Sequence, residues 1–252
     1  MVPRVSSTFL LVAGEASADA IGARLIRALA ARQPGARFVG MGGPRMREAG
    51  LHALWDANEI AVMGVVEVLP KLRRILHVLD GLARWAVEHR PAAAILIDAP
   101  DFNLRLADRL RERGIPVAYY VAPMAWAWRE GRVRALRQRV DALLCIYPFE
   151  ERWFRERAVP ATFVGNPLLE DPAIAHPPDR VAARAGLGIG AEETVVALLP
   201  GSRHGEVTRI LPTLLEAADR LAASRGPIRF VLPIAPNLDR AFVEGMCSGS
   251  AC

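Results

Sequence analysis

The feature that most constrains this chain is a repeated alternation of short apolar runs with longer stretches of helical period. Residues 8–13, TFLLVA, form an apolar run that ends at Gly14, and the stretch 17–32 then sets Ile21, Leu25, Ile26 and Leu29 inward at helical spacing. The same order returns downstream. Expected strands at 37–40, 93–97, 117–121, 142–147 and 162–164 alternate with expected helices, one running through Ala49 after the glycine-rich MGGPRM loop and others at 69–89, 104–113, 129–139 and 150–157. Strand, crossover helix and strand make a right-handed parallel unit, so the alternation predicts an α/β fold with a doubly wound parallel sheet, a Rossmann-like domain.

Pro167, Pro172, Pro177 and Pro178 then interrupt the pattern, because proline both breaks periodicity and stiffens a connection. This places an N-terminal domain at 1–170, a proline-rich linker at 171–191 and the start of a second Rossmann-like domain at 192–252. The second domain opens with an expected strand at 194–199, a PGSRHGE loop, a helix at 207–223 and a strand at 228–233. Two strands fall short of a self-supporting α/β domain, so the expectation is that this domain is incomplete. The stretch 245–252, with small residues and two cysteines, lacks periodicity and reads as unlike the ordered sequence before it.

Composition narrows the classes of partner. With 52% hydrophobic and 23% charged residues the chain buries a sizeable core, which argues against disorder. Lys+Arg 32 against Asp+Glu 27 leaves a net charge of +5 without a polybasic tail, so a nucleic-acid partner is not expected. Cys145, Cys247 and Cys252 show neither metal-ligand spacing nor an even-numbered disulfide framework, which fits a reducing compartment. The five histidines form no ligand cluster, so no metal and no cofactor is expected. Acidic Glu15 and Asp19 follow the first apolar run at once, so that run reads as a buried strand and not as a signal peptide. No apolar stretch is long enough to span a bilayer, and any membrane contact is expected to be peripheral.

In open parallel sheets ligands bind beyond the C-terminal strand ends, which makes four loops informative. In AGEASAD, Gly14 allows a close turn and Glu15 stands at the sheet edge; capping of the next helix by Ser17 or Asp19 is the alternative use of this loop. In IDAPDFN, Asp98 and Asp101 follow a buried strand, and Asp98, nearest the strand end, is the candidate general base for transfer to an alcohol. The alternative is that Asp101 caps a helix and Asp98 satisfies loop amides. In YYVAPMAWAWREGRV, Trp126 and Trp128 precede Arg129 and Arg132, a combination that suits an amphiphilic phosphate or else plain packing. In LLPGSRHGEV, the loop amides and Arg203 suit a phosphate, while the missing Gly-Lys-Ser/Thr ending argues against a P-loop.

Taken in order, AGEASAD, FVGMGGPRM, VMGVVEVLP, IDAPDFN, WAWR, PFE, FVGNPL and LPGSRHGE resemble the lipid-A-disaccharide synthase family across about residues 9–236. The resemblance implies an inverting, metal-independent glycosyltransferase with two Rossmann-like domains in the glycosyltransferase B arrangement. It implies UDP-2,3-diacylglucosamine as donor, 2,3-diacylglucosamine 1-phosphate as acceptor, and a cytoplasmic location with peripheral attachment to the inner membrane. Carried onto this sequence, it makes Asp98 and Glu15 catalytic, and it gives Gly201, Ser202, Arg203 and Glu206 to the donor phosphates. Gly14, Asp101, Asn103, Trp126 and Arg129 fall to the acceptor, and Met63, Val66 and Leu69 to the lipid surface. Asn166 stands where the family commonly has histidine, so no role of that histidine carries over. The resemblance also implies a longer chain than this one. Rival readings are another UDP-sugar enzyme of the same fold, against which IDAPDFN and WAWR speak, and an inactive lipid-binding fragment.

Overall fold

The computed structural model describes residues 7–59, 65–235 and 238–248. The chain divides into two compact units, Met1–Ile174 and Ala175–Cys252. In the first unit β1 (Thr8–Ala13) leads into α1 (Ala16–Arg32), β2 (Arg37–Gly42), α2 (Pro44–Glu48) and β3 (Leu51–Asp56). Then follow α3 (Val65–His89), β4 (Ala93–Ile97), α4 (Pro100–Arg111), β5 (Val117–Tyr120), α5 (Arg132–Arg139), β6 (Ala142–Cys145), α6 (Pro148–Arg155) and β7 (Ala161–Phe163).

All seven strands are parallel and lie in the order β3-β2-β1-β4-β5-β6-β7. The order reverses between β1 and β4, the switch point at which such sheets hold ligands. The continuous apolar runs follow from burial on both faces. Leu11 and Ala13 of β1 and Ile95 and Ile97 of β4 pack under Ile21 and Ile26 of α1 and Met46 of α2. On the other face Leu10, Val12, Leu96 and Tyr119 pack against Leu82 of α3, Leu106 of α4, Leu136 of α5 and Phe154 of α6.

The expected strands and most expected helices are present; β3 is the strand that the sequence pattern did not show. It lies at the sheet edge, where LHALWD mixes His52 and Asp56 with apolar residues, so no clean apolar run marks it. A register shift between Gly40 and Met41 accommodates it, and Gly40 has φ +148 where a Cβ would collide with the Leu11 carbonyl. The proline-rich stretch is structured: a 3-10 turn at Pro167–Glu170, a single turn α7 (Pro172–Ala175) and α8 (Arg180–Gly186). Arg24 of α1 bonds the Pro167 carbonyl and pairs with Asp171 at 2.6 Å, which ties this turn to the first unit.

The second unit pairs β8 (Thr194–Ala197) in parallel with β9 (Ile228–Val231), between which runs α9 (His204–Arg225). Val207, Leu211, Leu215 and Ala218 form the buried stripe of α9 and meet Val243 of α10 (Arg240–Cys247). This last helix reaches into the stretch that looked aperiodic. Its start is set by Asp239, whose carboxylate accepts from the Ala241 amide at 3.0 Å.

Asp19 shows how the loops are held. It caps neither α1 nor its own turn. From within α1 its buried carboxylate accepts the amides of Gly43 at 2.8 Å, Arg45 at 3.0 Å and Met46 at 3.1 Å, and so caps α2. A Cβ on Gly43 would stand 2.7 Å from that carboxylate, so only glycine leaves the bond intact. Asp19→Ala strands three amide donors, two of them buried, and is expected to cost on the order of 3 kcal/mol, measured as a fall in the urea midpoint, while Ser17→Ala on the exposed side stays near neutral.

Candidate active site

The site is built where β1 and β4 end side by side. Pairing of Ala13 with Ile97 sets Gly14 next to Asp98 across the switch point, about one strand spacing apart. Gly14 is buried, and Glu15 is half-buried in extended backbone at the N-terminus of α1, where its carbonyl accepts from Asp19 at 2.9 Å.

After β4 the backbone turns through two successive left-handed residues, Asp98 with φ 51 and Ala99 with φ 45. Neither is glycine, and each costs roughly 1–2 kcal/mol in this region. Four hydrogen bonds hold the turn. The Asp98 carbonyl accepts from the Tyr119 hydroxyl at 2.6 Å and from Asn103 Nδ2 at 2.7 Å. Asn103 Nδ2 also donates to the Ile97 carbonyl at 3.1 Å, and the Asp98 amide donates to Tyr120 at 3.0 Å. At about 1 kcal/mol net apiece these bonds offset the strain. Burial, followed by the nearby charge of Asp98, raises the Tyr119 phenol well above its ordinary range, so it stays a donor.

Asn103 lies under the loop, fully buried, and its Oδ1 has no hydrogen-bond partner among the described residues. Its contribution to any ligand passes through the turn it holds. Asp101 does not cap α4, whose N-cap is Ala99. It pairs instead with Arg129 at 3.2 Å and Arg132 at 2.8 Å, and both guanidinium groups stack on Trp128, at 4.5 and 5.2 Å from the ring centroid. Val121 and Arg129 also have positive φ, so among the described residues four of the six non-glycine residues with left-handed backbone lie at this edge of the sheet.

Trp126, in the loop between β5 and α5, reaches the start of α6 beyond the end of β6. Its Nε1 donates to Glu150 at 3.2 Å, and its ring meets Phe149 edge-on at 5.0 Å. Glu150 is only 1% exposed, and burial lifts its carboxyl above the usual glutamate range, opposed by the Trp126 indole and the Tyr147 and Ile146 amides. Burial, with Glu150 and Glu151 nearby, also pushes the Cys145 thiol up to about 12, which leaves it inert as a nucleophile near neutral pH.

In the second unit Gly201 has φ +111 and opens the loop before α9. Glu206 fills the loop itself: its carboxylate accepts the amides of Ser202 at 3.0 Å and Arg203 at 3.2 Å and the Arg203 guanidinium at 3.1 Å. The Ser202 amide bond leads in holding its carboxyl below the usual range. Of the lipid-surface residues, Met63 lies outside the described residues, as do the side chains of Val66 and Leu69 on α3. Asn166 accepts from the Leu168 amide at 3.0 Å and caps the 3-10 turn.

The structure thus brings Gly14, Glu15, Asp98, Asp101, Asn103, Trp126 and Arg129 to one edge of one sheet, and describes Gly201, Ser202, Arg203 and Glu206 within a separate unit. Tyr119, Glu150 and Phe149 were missed as site residues. PFE was visible as a motif, but nothing in sequence showed that Glu150 reaches Trp126. Among the described residues no cluster of three His, Cys, Asp or Glu side chains is placed to hold a metal ion, and no helix is long and apolar enough to cross a membrane. At the opposite edge of the sheet a half-open cleft of about 470 Å³ is lined by Arg37, His52, Trp85 and His89, among others.

A model of the lipid-A-disaccharide synthetase family matches residues 9–247. The lipid-A-disaccharide synthase of Myxococcus xanthus is 51% identical over 241 residues, covering 96% of this chain and 62% of its own length. That of Pseudomonas putida is 48% identical over 239 residues, covering 95% of this chain and 63% of its own. The chain therefore spans about 62% of the length of these curated relatives. Among solved structures, a putative UDP-N-acetylglucosamine 2-epimerase of Listeria monocytogenes aligns with a TM-score of 0.60 at 10% identity over 96% of this chain and 65% of its own. S. aureus MnaA, in a co-structure with UDP, aligns at 0.63 and 6% identity over 96% of this chain and 65% of its own. These likenesses are of fold, the α/β class with Rossmann-like units that the alternation predicts.

The buried carboxyl of Glu150 yields a pH test. Its raised native value means that the folded chain holds the proton more tightly than the unfolded one. Its contribution therefore favours folding below the ordinary glutamate range and weakens as pH rises through the raised value. Urea midpoints of parent and Glu150→Gln from about pH 4 to about pH 8 should shift relative to one another in favour of the variant as pH rises; a gap independent of pH contradicts the assignment.

Proposed function

The chain belongs to the lipid-A-disaccharide synthase family, and we propose that it serves lipid A biosynthesis as a glycosyltransferase acting on UDP-2,3-diacylglucosamine and 2,3-diacylglucosamine 1-phosphate. The observation that supports this most directly is the pinned left-handed turn that carries Asp98 to the end of β4, beside Gly14 and Glu15 at the switch point.

In this reading the acceptor lies over the C-terminal edge of the first unit. Its 6-hydroxyl attacks the anomeric carbon of the donor from the side opposite UDP, and Asp98 accepts the hydroxyl proton as the new C–O bond forms. The bond from the anomeric carbon to the diphosphate breaks, and UDP leaves with the electron pair. Glu15 orients the acceptor, Gly14 allows its close approach, and Asp101, Trp126 and Arg129 border it. Arg203 and the amides of Gly201 and Ser202 stabilise the charge that develops on the diphosphate. For that, Glu206 must release the donors it now holds, which makes it the residue that exchanges places with the phosphates. Met63, Val66 and Leu69 belong to the stretch that rests on the cytoplasmic surface of the inner membrane, which suits two acylated substrates and peripheral attachment.

The test uses a chimera in which this chain replaces the matching segment of the Myxococcus xanthus relative, assayed in detergent with labelled donor. Disaccharide and UDP should form, and Asp98→Ala should lower turnover by roughly a hundredfold or more. A folded chimera that makes no disaccharide overturns the reading. For the chain itself, UDP should bind, and Arg203→Ala should weaken it by about tenfold or more; absence of UDP binding with retained amphiphile binding would favour a lipid-binding role alone.

A further inference from the structure

The residues around Trp126 form a joined group of exposed rings. Trp126, Tyr147 and Phe149 remain 39%, 42% and 49% exposed. Single exposed aromatics are ordinary, but these three are joined: Phe149 takes Trp126 edge-on at 5.0 Å and stacks with Tyr147 at 6.0 Å. The indole is held by Glu150, a carboxylate removed from water, which also accepts the Tyr147 amide at 3.2 Å. Glu150 is also the N3 residue of the α6 capping box, and from that fixed place its other oxygen orients a ring that faces solvent. An exposed apolar ladder held in one arrangement is a surface prepared for an apolar ligand, since the ordering cost has been met before binding.

The neighbouring charge indicates what kind of ligand. In the same loop as Trp126, Arg129 and Arg132 share the carboxylate of Asp101 and lie over the ring of Trp128. Apolar rings next to a guanidinium pair complement an aliphatic chain attached to an anionic head. We infer that Trp126, Tyr147 and Phe149 form a subsite for the hydrocarbon chain of an anionic amphiphile, with Glu150 as the positioning residue that holds the Trp126 indole and Arg129 and Arg132 beside its head group.

This inference rests on the reading of the substrates as acylated phosphates and adds the place where a chain is held. Its test needs neither donor nor transfer. Monomeric lauroyl lysophosphatidic acid is titrated into the chain by calorimetry, with glycerol 3-phosphate as the head group alone and dodecyl maltoside as a similar chain on a neutral head. Lysophosphatidic acid should bind at least about tenfold more tightly than either comparator. Trp126→Ala and Phe149→Ala, both at exposed positions, should each weaken it about tenfold, and Glu150→Ala should do the same while Glu150→Gln, whose amide oxygen still accepts from the indole, restores most of the affinity. Glycerol 3-phosphate binding as tightly as the lipid, or Trp126→Ala and Phe149→Ala variants that bind like the parent, overturns the subsite. The two readings fail separately: a chimera without transfer but with chain-dependent binding sinks the transferase, and transfer with binding unchanged in the ladder variants sinks the subsite.

Discussion

Everything at the C-terminal edge of the first unit depends on the turn at Asp98 and Ala99. A strand that ends in two left-handed, non-glycine residues is strained, and it persists because the Asp98 carbonyl is held from two sides by Tyr119 and Asn103. The same turn starts α4, since the Ala99 carbonyl accepts from Phe102 and Asn103. It therefore fixes the position of Asp98, the direction of α4 and the placement of Asp101, which in turn gathers Arg129 and Arg132. Glycine in place of Ala99 would cost less in strain and would hold the backbone of Asp98 less firmly.

A second feature is that each loop borrows a carboxylate from elsewhere. Asp19 in α1 caps α2, Asp101 at the start of α4 pairs with arginines that follow β5, and Glu150 in α6 holds an indole of the loop that follows β5. Each bond links the end of one strand to the element that follows a neighbouring strand, so the C-terminal edge of the sheet acts as one framework and not as separate loops. In the second unit Glu206 serves its own loop, with partners three and four residues away, and that loop is accordingly held by local bonds only.

The sequence revealed what is repetitive and local. β1 and β4 are legible because strands buried on both faces must be continuously apolar, and Asp98 is legible because it follows such a run directly. β3 was hidden because an edge strand is under weaker demand, and LHALWD satisfies it with a mixed pattern. Asp19 looked like a cap for its own helix because capping is ordinarily local; its true partners lie 24 to 27 residues away. Asn103 read as a residue for the acceptor, yet it is buried under the turn, a distinction that depends on depth and not on spacing. The pairing of Trp126 with Glu150 joins two loops whose adjacency is set by the β5 and β6 register, which no local pattern encodes.

Hydrogen exchange of this chain with and without the proposed acceptor, 2,3-diacylglucosamine 1-phosphate, tests the central claim most directly, because it reports which edge of the sheet the ligand covers. Protection concentrated in residues 13–19, 98–103 and 121–132, with the cleft-lining residues Arg37, His52 and His89 at the opposite edge unchanged, is the predicted result. Protection at that opposite edge, with the Asp98 turn unaffected, would contradict the account.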